Sequence, residues 1–312
     1  MKQILVDFGS DYLYLSLVGH PEVLAEPALV AVDSTTGVVK AVGAAAKKAS
    51  GCTLVRPIVE GCLVQEAYAV ALFRHAAQKL GTSFTRSKVI CGTSVGLNSR
   101  DKAAIESLFN QLGVKGTVFV ESAIADYCVV QEEFGVSDAL IVNIGADCSE
   151  VTYMQNGRIL GGGSVYIAGN RLDSTIASYL EDKYQLQLTE EQLRNVKEQC
   201  VSLYANDVSS QTITGTTPDG EKTVSLGARE LYDAVSYLIS RVLEVAKGLL
   251  REGPSADTEV YLTGGTAQLQ GLDSFVSQEL GRPVHVLEHA ERSVLDGLRL
   301  YVNKKKEENA TE

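Results

Sequence analysis

Two stretches of this chain repeat one another. Residues 4–18 read ILVDFGSDYLYLSLV, and residues 140–154 read LIVNIGADCSEVTYM. Each is a short apolar run, then Asp7 or Asn143, an apolar residue, Gly9 or Gly145, two small or polar residues and a second run. That is the pattern of two β-strands joined by a tight turn, with glycine where the backbone bends or approaches something closely. A polar residue leads each turn and exposed amides follow it. Such turns hold phosphate oxygens on their N–H groups while a leading carboxylate faces a metal ion. One copy says little, because an ordinary hairpin gives the same string. Two copies at the starts of two halves fit a pair of related domains closing on one nucleotide. Two unrelated hairpins are the competing reading.

At 312 residues the chain is too long for one typical core and suits two domains. A formal net charge of −11 leaves no excess of Lys and Arg to replace phosphate counterions, which argues against non-specific nucleic-acid binding. The six cysteines show no CxxC spacing and read as reduced thiols of a cytosolic protein. His285 and His289 share helical spacing, but no HExxH surrounds them and VHVLEH looks like a strand end, which disfavours a metal site. A first strand from Lys2 or Gln3 leaves no signal peptide ahead of it, and no apolar run approaches bilayer-spanning length. The polar tail KKKEENATE is expected to fray. Its Asn309-Ala-Thr string fits a glycosylation acceptor that a cytosolic chain would never present.

In order, the chain predicts the first hairpin, strands ALVAVD and VVKAVG about a Ser34–Gly37 turn, and a brief Ala44–Ser50 helix. A long helix follows from about Val64 to Leu80, then strand KVICGT and a helix capped by Ser99. GTVFVE is a strand passing into a helix with Glu121 at the junction. In the second half, Asn156-Gly157 is a strong two-residue turn signal. A helix enters through Gly169, and a second, Thr189 to about Leu203, opens on a Thr-Glu-Glu-Gln cap. Pro218-Asp219-Gly220 turns a hairpin. A helix over Ala228–Arg251, strand VYLT, a glycine loop, strand PVHV and a last helix from about Glu291 to Asn303 complete the chain. Strands alternating with helices imply a mixed or mostly parallel sheet under helices.

This order of motifs resembles the actin-like ATPases, specifically the MreB type of bacterial actin. The matching stretches are VDFGS, EPALVAVDSTTGVVKAVGAAAKK, RPIVEG, VFVESAIA, IVNIGADCSEV, IAGNRLDSTIASYL, TEEQLRNVKE and VYLTGGTAQLQGLDSFVSQELGRPVHV. They run collinearly over nearly the whole chain. The resemblance implies an α/β, actin-like (ribonuclease H-like) ATPase fold: two related α/β domains with a nucleotide cleft between them. Domain I would be 1–138 with a small insertion at about 31–56, and domain II 139–289 with one at about 180–228. Residues 290–312 would form a C-terminal helix returning to domain I, plus the frayed tail.

The resemblance also assigns residues. Gly9, Ser10, Asp11 and Tyr12 match the first phosphate loop, with Asp7 toward Mg²⁺ through water. Gly145, Ala146, Asp147 and Cys148 match the second. Gly169 matches a point of close backbone approach to ATP, where a packing glycine is the alternative. Glu191 and Arg194 match the adenosine side, though exposed helix charges look the same. Gly264, Gly265, Thr266 and Ala267 match the adenosine loop, where glycines suit a helix N-terminus near a ligand; a plain strand-to-helix turn is the alternative. Glu121 matches the water-activating glutamate, or is an ordinary strand-end carboxylate.

The departures fall in the chemistry. The family's second phosphate loop reads D-I-G-G-G-T, and here it is Asn143-Ile-Gly-Ala-Asp-Cys148. Asn143 is uncharged, so half of the carboxylate pair around the Mg²⁺ water shell is weakened. Ala146 narrows the space and dihedral range beside the phosphates. Asp147 adds negative charge there, and Cys148 replaces a threonine hydroxyl that positions the attacking water with a weaker donor. Slow ATP turnover or none is the expectation.

The function implied is an ATP-binding cytoskeletal filament subunit in cell-shape determination, a head-to-tail homo-oligomer in the cytoplasm at the inner membrane face. Paralogous MreB-like subunits and membrane-bound cell-shape proteins are the implied partners. The loop LGTSFTRSK offers Phe84, flanked by Arg86 and Lys88, as a weak membrane contact; a packed ring is the bland reading. The alternative function is a non-polymerising scaffold with a degraded ATPase site. A sugar kinase of the same superfamily lacks a recognisable substrate stretch, and a heat-shock-type chaperone lacks a peptide-binding domain.

Overall fold

The structure is a computed structural model describing residues 1–311, with the side chains of 252 and 309–311 left out. The chain divides into two compact units, Met1–Val136 with Arg292–Glu312, and Ser137–Glu291.

Unit 1 opens with the meander β1 (Gln3–Asp7), β2 (Tyr12–Leu17) and β3 (Val23–Pro27). Small strands follow: β4 (Val30–Asp33), β5 (Val39–Val42), β6 (Cys52–Val55), β7 (Ile58–Val59) and β8 (Cys62–Leu63). Then come α1 (Glu66–Lys79), β9 (Lys88–Thr93), α2 (Ser99–Gln111), β10 (Gly116–Glu121) and α3 (Ser122–Phe134). The main sheet runs β10-β9-β1-β2-β3. β1 is antiparallel to β2 and parallel to β9, and β9 is parallel to β10.

Alternation along β1 sends side chains to both faces, as a twice-buried strand requires. Ile4 and Val6 join the core that includes Phe73 of α1 and Phe109 of α2. Leu5 joins a second core with Ala125 of α3 and Leu295 and Leu298 of the last helix.

Unit 2 repeats the scheme. The meander β11 (Asp138–Ile144), β12 (Ser149–Gln155) and β13 (Arg158–Val165) precedes α4 (Gly169–Tyr184) and α5 (Glu190–Cys200). The hairpin β14 (Ser210–Thr217) and β15 (Gly220–Gly227) leads to α6 (Ala228–Glu252), β16 (Val260–Thr263), α7 (Leu272–Leu280) and β17 (Val284–Val286). Its main sheet runs β13-β12-β11-β16-β17. β11 is antiparallel to β12 and parallel to β16, which is parallel to β17. Read from the other edge, this is the strand order and orientation of unit 1, so the repeated string is the visible part of a repeated sheet. On α6, Leu231, Val235, Leu238, Ile239, Val242, Leu243 and Ala246 are buried, the spacing of one helical stripe.

The last helix, α8 (Ser293–Thr311), belongs to unit 1. Ser293 Oγ donates to the fully buried Asp126 of α3 at 2.6 Å. At Gly297 a Cβ would stand 2.0 Å from the Ala125 carbonyl oxygen, so only glycine lets the two helices lie this close.

Several expectations are corrected. The tail does not fray at residue 304: α8 continues to Thr311, and Lys305 pairs with Glu308 at 2.8 Å one turn on. The Asn309-Ala-Thr side chains lie outside the described set. Asn98, not Ser99, caps α2, because its side-chain oxygen accepts from Asp101 N. The brief helix near residue 44 is a 3-10 turn over Gly43–Lys48. The second helix of unit 2 stops at Cys200, short of Leu203. Phe84 is 3% exposed and its ring packs 5.9 Å from both Phe73 and Phe109. A ring held in the core cannot insert into a bilayer, so the membrane contact expected there is withdrawn. Among the described residues no helix is long and apolar enough to cross a membrane.

Candidate functional site

In unit 2 the second glycine turn is held by its own carbonyls. Gly145 N donates to Cys148 O at 3.1 Å and closes the turn. Gly145 O then accepts from Gly169 N at 3.0 Å and from Thr266 Oγ1 at 3.1 Å. Ala146 O accepts from Asn170 N at 2.8 Å. A helix start leaves four amides without helical partners, and α4 gives its first two to this turn. Asn170 Nδ2 donates to Asp147 Oδ1 at 2.6 Å, so the Asp147 carboxylate is turned onto α4. The Cys148 thiol donates to the Ser149 carbonyl at 3.6 Å.

Gly169 sits in the middle. A Cβ there would lie 3.0 Å from Thr266 Oγ1, 3.2 Å from Gly145 O and 3.4 Å from Lys197 Nζ. Gly264 has φ +83°, and a Cβ would stand 2.4 Å from Ile144 O, so both conformation and space demand glycine. Gly265, Thr266 and Ala267 belong to a 3-10 turn, Gly265–Gln268, and α7 begins only at Leu272. The loop is therefore not an α-helix N-terminus, which corrects that expectation. On α5 the side chain that reaches Gly169 is Lys197, one turn beyond Arg194. Its Nζ donates to Gly169 O at 3.3 Å and Asp173 Oδ2 at 2.9 Å. Glu191 is exposed and Arg194 half-buried. Lys197 stood inside the quoted stretch TEEQLRNVKE, but only the fold brings α5 beside the start of α4.

In unit 1 the first glycine turn is held mainly through side chains, beside one backbone bond from Ala28 N to Asp11 O at 2.8 Å. At Gly9 a Cβ would stand 2.2 Å from Tyr12 O, so the turn closes only around glycine. Arg56 Nη1 donates to Asp11 Oδ1 at 3.0 Å, and Gly61 N donates to Ser10 Oγ at 3.3 Å. Lys47 Nζ lies 5.5 Å from the Tyr12 ring centroid. Asp7 ends β1 opposite Gly92 of β9, and Glu121 ends β10 opposite Thr93. Glu121 Oε1 accepts from Gly96 N at 3.1 Å. Neither Gly9 nor Gly145 has a positive φ, and nor does Ala146, so alanine at 146 brings no backbone strain.

The amides of Gly9 and Ser10, and that of Ala146, have no acceptor among the described residues. Among those residues no group of three or more His, Cys, Asp or Glu is placed to hold a metal ion. His285 instead bonds Glu259 at 2.9 Å and stacks on Tyr261, whose hydroxyl burial and nearby Glu259 push up to about 12. All six cysteines are free, and burial pushes the Cys91 thiol well up.

Two sheets of one topology, each with a glycine turn between its first two strands, define the actin-like ATPase fold. The model of the MreB/Mbl protein family matches residues 1–310, and this chain belongs to that family. It is 26% identical over 318 aligned positions to the cell shape-determining protein Mbl of Bacillus cereus, covering 95% of this chain and 94% of that one. The crystal structure of MreB5 of Spiroplasma citri bound to AMPPNP superposes with a TM-score of 0.89 at 21% identity, over 99% of this chain and 98% of that one. The same protein bound to ADP gives 0.89 at 19% identity, over 100% and 99%.

Proposed function

We propose that this chain is an ATP-binding subunit of a cell-shape filament, with slow hydrolysis at most. One observation carries the reading: both glycine turns are firmly held, yet the amides of Gly9 and Ser10 in one and of Ala146 in the other have no acceptor among the described residues. Amides fixed in that way are phosphate ligands. Membership of a family whose relatives are named for cell shape, and likeness to structures carrying AMPPNP and ADP, support it.

In this reading the turns at 9–12 and 145–148 take the phosphates, with Gly169, Lys197 and Gly264–Ala267 toward the nucleoside. Asp7 and the Asn143 amide oxygen offer too few charges to bind Mg²⁺ directly. They suit an ion carried mainly by phosphates and water, where it would offset charge on the departing phosphate oxygens. We assign Glu121 as the carboxylate that takes a proton from water. Asp147 is tied to α4 and the Cys148 thiol to its neighbour's carbonyl, so neither supplies the missing hydroxyl. Positioning and general-base help are commonly worth about 10²–10⁴-fold, and partial loss gives slow turnover.

Head-to-tail assembly of identical subunits yields open strands, which is the filament part of the proposal. Calorimetric titration with ATP and Mg²⁺ tests binding. Pelleting with electron microscopy tests assembly, and protein that binds ATP but stays monomeric returns the scaffold reading. Phosphate release at a rapid rate, unaffected by Glu121→Ala, would falsify the assignment of Glu121.

A further inference from the structure

Thr93 closes β9, and its side chain is 5% exposed. Its Oγ1 is buried without a hydrogen-bond partner among the described residues. Buried hydroxyls nearly always have a partner in the protein or in ordered water. Thr93 stands directly across from Glu121 of β10. Paired residues of adjacent parallel strands point to the same face, about 4.8 Å apart. Only one Glu121 oxygen is engaged, Oε1 with Gly96 N, so Oε2 has no partner among the described residues either. A buried hydroxyl with no partner, on the same face as a half-buried carboxylate with a spare oxygen, is a polar setting for a bound water.

We propose that Thr93 is a positioning residue: its hydroxyl and the Glu121 carboxylate hold one water between them at the ends of β9 and β10. This rests on the reading of the chain as an ATP-binding protein with Glu121 as its base. The held water is then the nucleophile. As its oxygen bonds the γ-phosphorus, the bond to the β–γ bridging oxygen breaks, one water proton passes to Glu121, and ADP and inorganic phosphate leave. Thr93 thus supplies a hydroxyl beside Glu121 within unit 1.

Two variants and their readouts separate this from a structural role. Thr93→Val keeps the shape and removes the hydroxyl. It should lower phosphate release about tenfold or more at unchanged ATP affinity, with a melting temperature close to wild type, because only a bond to water is lost. Thr93→Ser should stay within about twofold of wild type. A crystal structure should show a water in hydrogen-bond reach of both Thr93 Oγ1 and Glu121. Wild-type turnover by Thr93→Val, no such water, or wild-type protein that binds ATP without releasing phosphate each overturns the inference. A flat ATP titration of the wild type instead overturns the underlying function.

Discussion

The two glycine turns are one motif supported by different means. In unit 1 the turn is gripped mainly through its side chains by residues that follow β3, Arg56 on Asp11, Gly61 N on Ser10 and Lys47 over Tyr12, with one backbone bond from Ala28 N to Asp11 O. In unit 2 it is gripped mainly through its backbone, by the first amides of α4 and by Thr266, with one side-chain bond from Asn170 to Asp147. The first support depends on charge and therefore on salt. The second depends on where a helix starts. A repeated string thus specifies a bend, and each lobe supplies its own means of holding it.

The largest expected effect tests whether the lobes stand independently. Phe84→Ala empties a site among Phe73 and Phe109 and should cost about 3–5 kcal/mol. Hydrogen exchange should rise in β1 and β9 and stay unchanged in β11 and β12. Flotation with liposomes should not respond beyond that loss of fold. Next, Gly9→Ala should cost about 3 kcal/mol and Gly145→Ala about 1 kcal/mol, since the added carbon meets carbonyl oxygen at 2.2 Å in one and 3.1 Å in the other. Equal midpoints in urea would show that the turns are held alike after all.

Asn143→Asp gives the second turn the lead residue of the first, and Mg²⁺-dependent phosphate release should rise about tenfold. Arg56→Gln removes the charged support of the first turn. It should cost about 1 kcal/mol in low salt, less in high salt, whereas variants of Asn170 should show no such salt dependence.

The smallest effect concerns the far end of α4. Burial pushes the Glu230 carboxyl up, but hydrogen bonds from Lys183, Gly227 N, Tyr184 and Tyr179 outweigh it and hold it down at about 2. Its ordinary value is 4.5, so its stabilisation is whole above that pH and drains away as pH falls toward 2. Allowing for solvent screening, Glu230→Gln should lose about 1 kcal/mol at pH 7 and flatten the acid limb of the stability curve.

Much of this was legible in the sequence, because period-2 apolar runs and glycine bends are local signals. The strand pairs, the Asn156-Gly157 turn and the Thr189 capping box were readable for that reason. What escaped was non-local. β3 was missed because VLAEP carries a glutamate and a proline. Glu26 is 1% exposed, bonded to Lys79 of α1 and accepting from Ala44 N at 2.8 Å, partners a local window cannot see. Arg56 and Lys197 were passed over likewise, since a cation in a sequence does not announce the carboxylate it meets. Phe84 looked like a loop tip because its neighbours in sequence are polar; its neighbours in space are rings.

The return of α8 to α3 has a consequence for how the molecule is made. Residues 137–291 emerge from the ribosome as one uninterrupted unit and can finish folding while synthesis continues. Residues 1–136 must wait, one face of their sheet covered by α3 alone, until α8 arrives. A helix made after unit 2 completes the lobe begun before it, so removing α8 should damage unit 1.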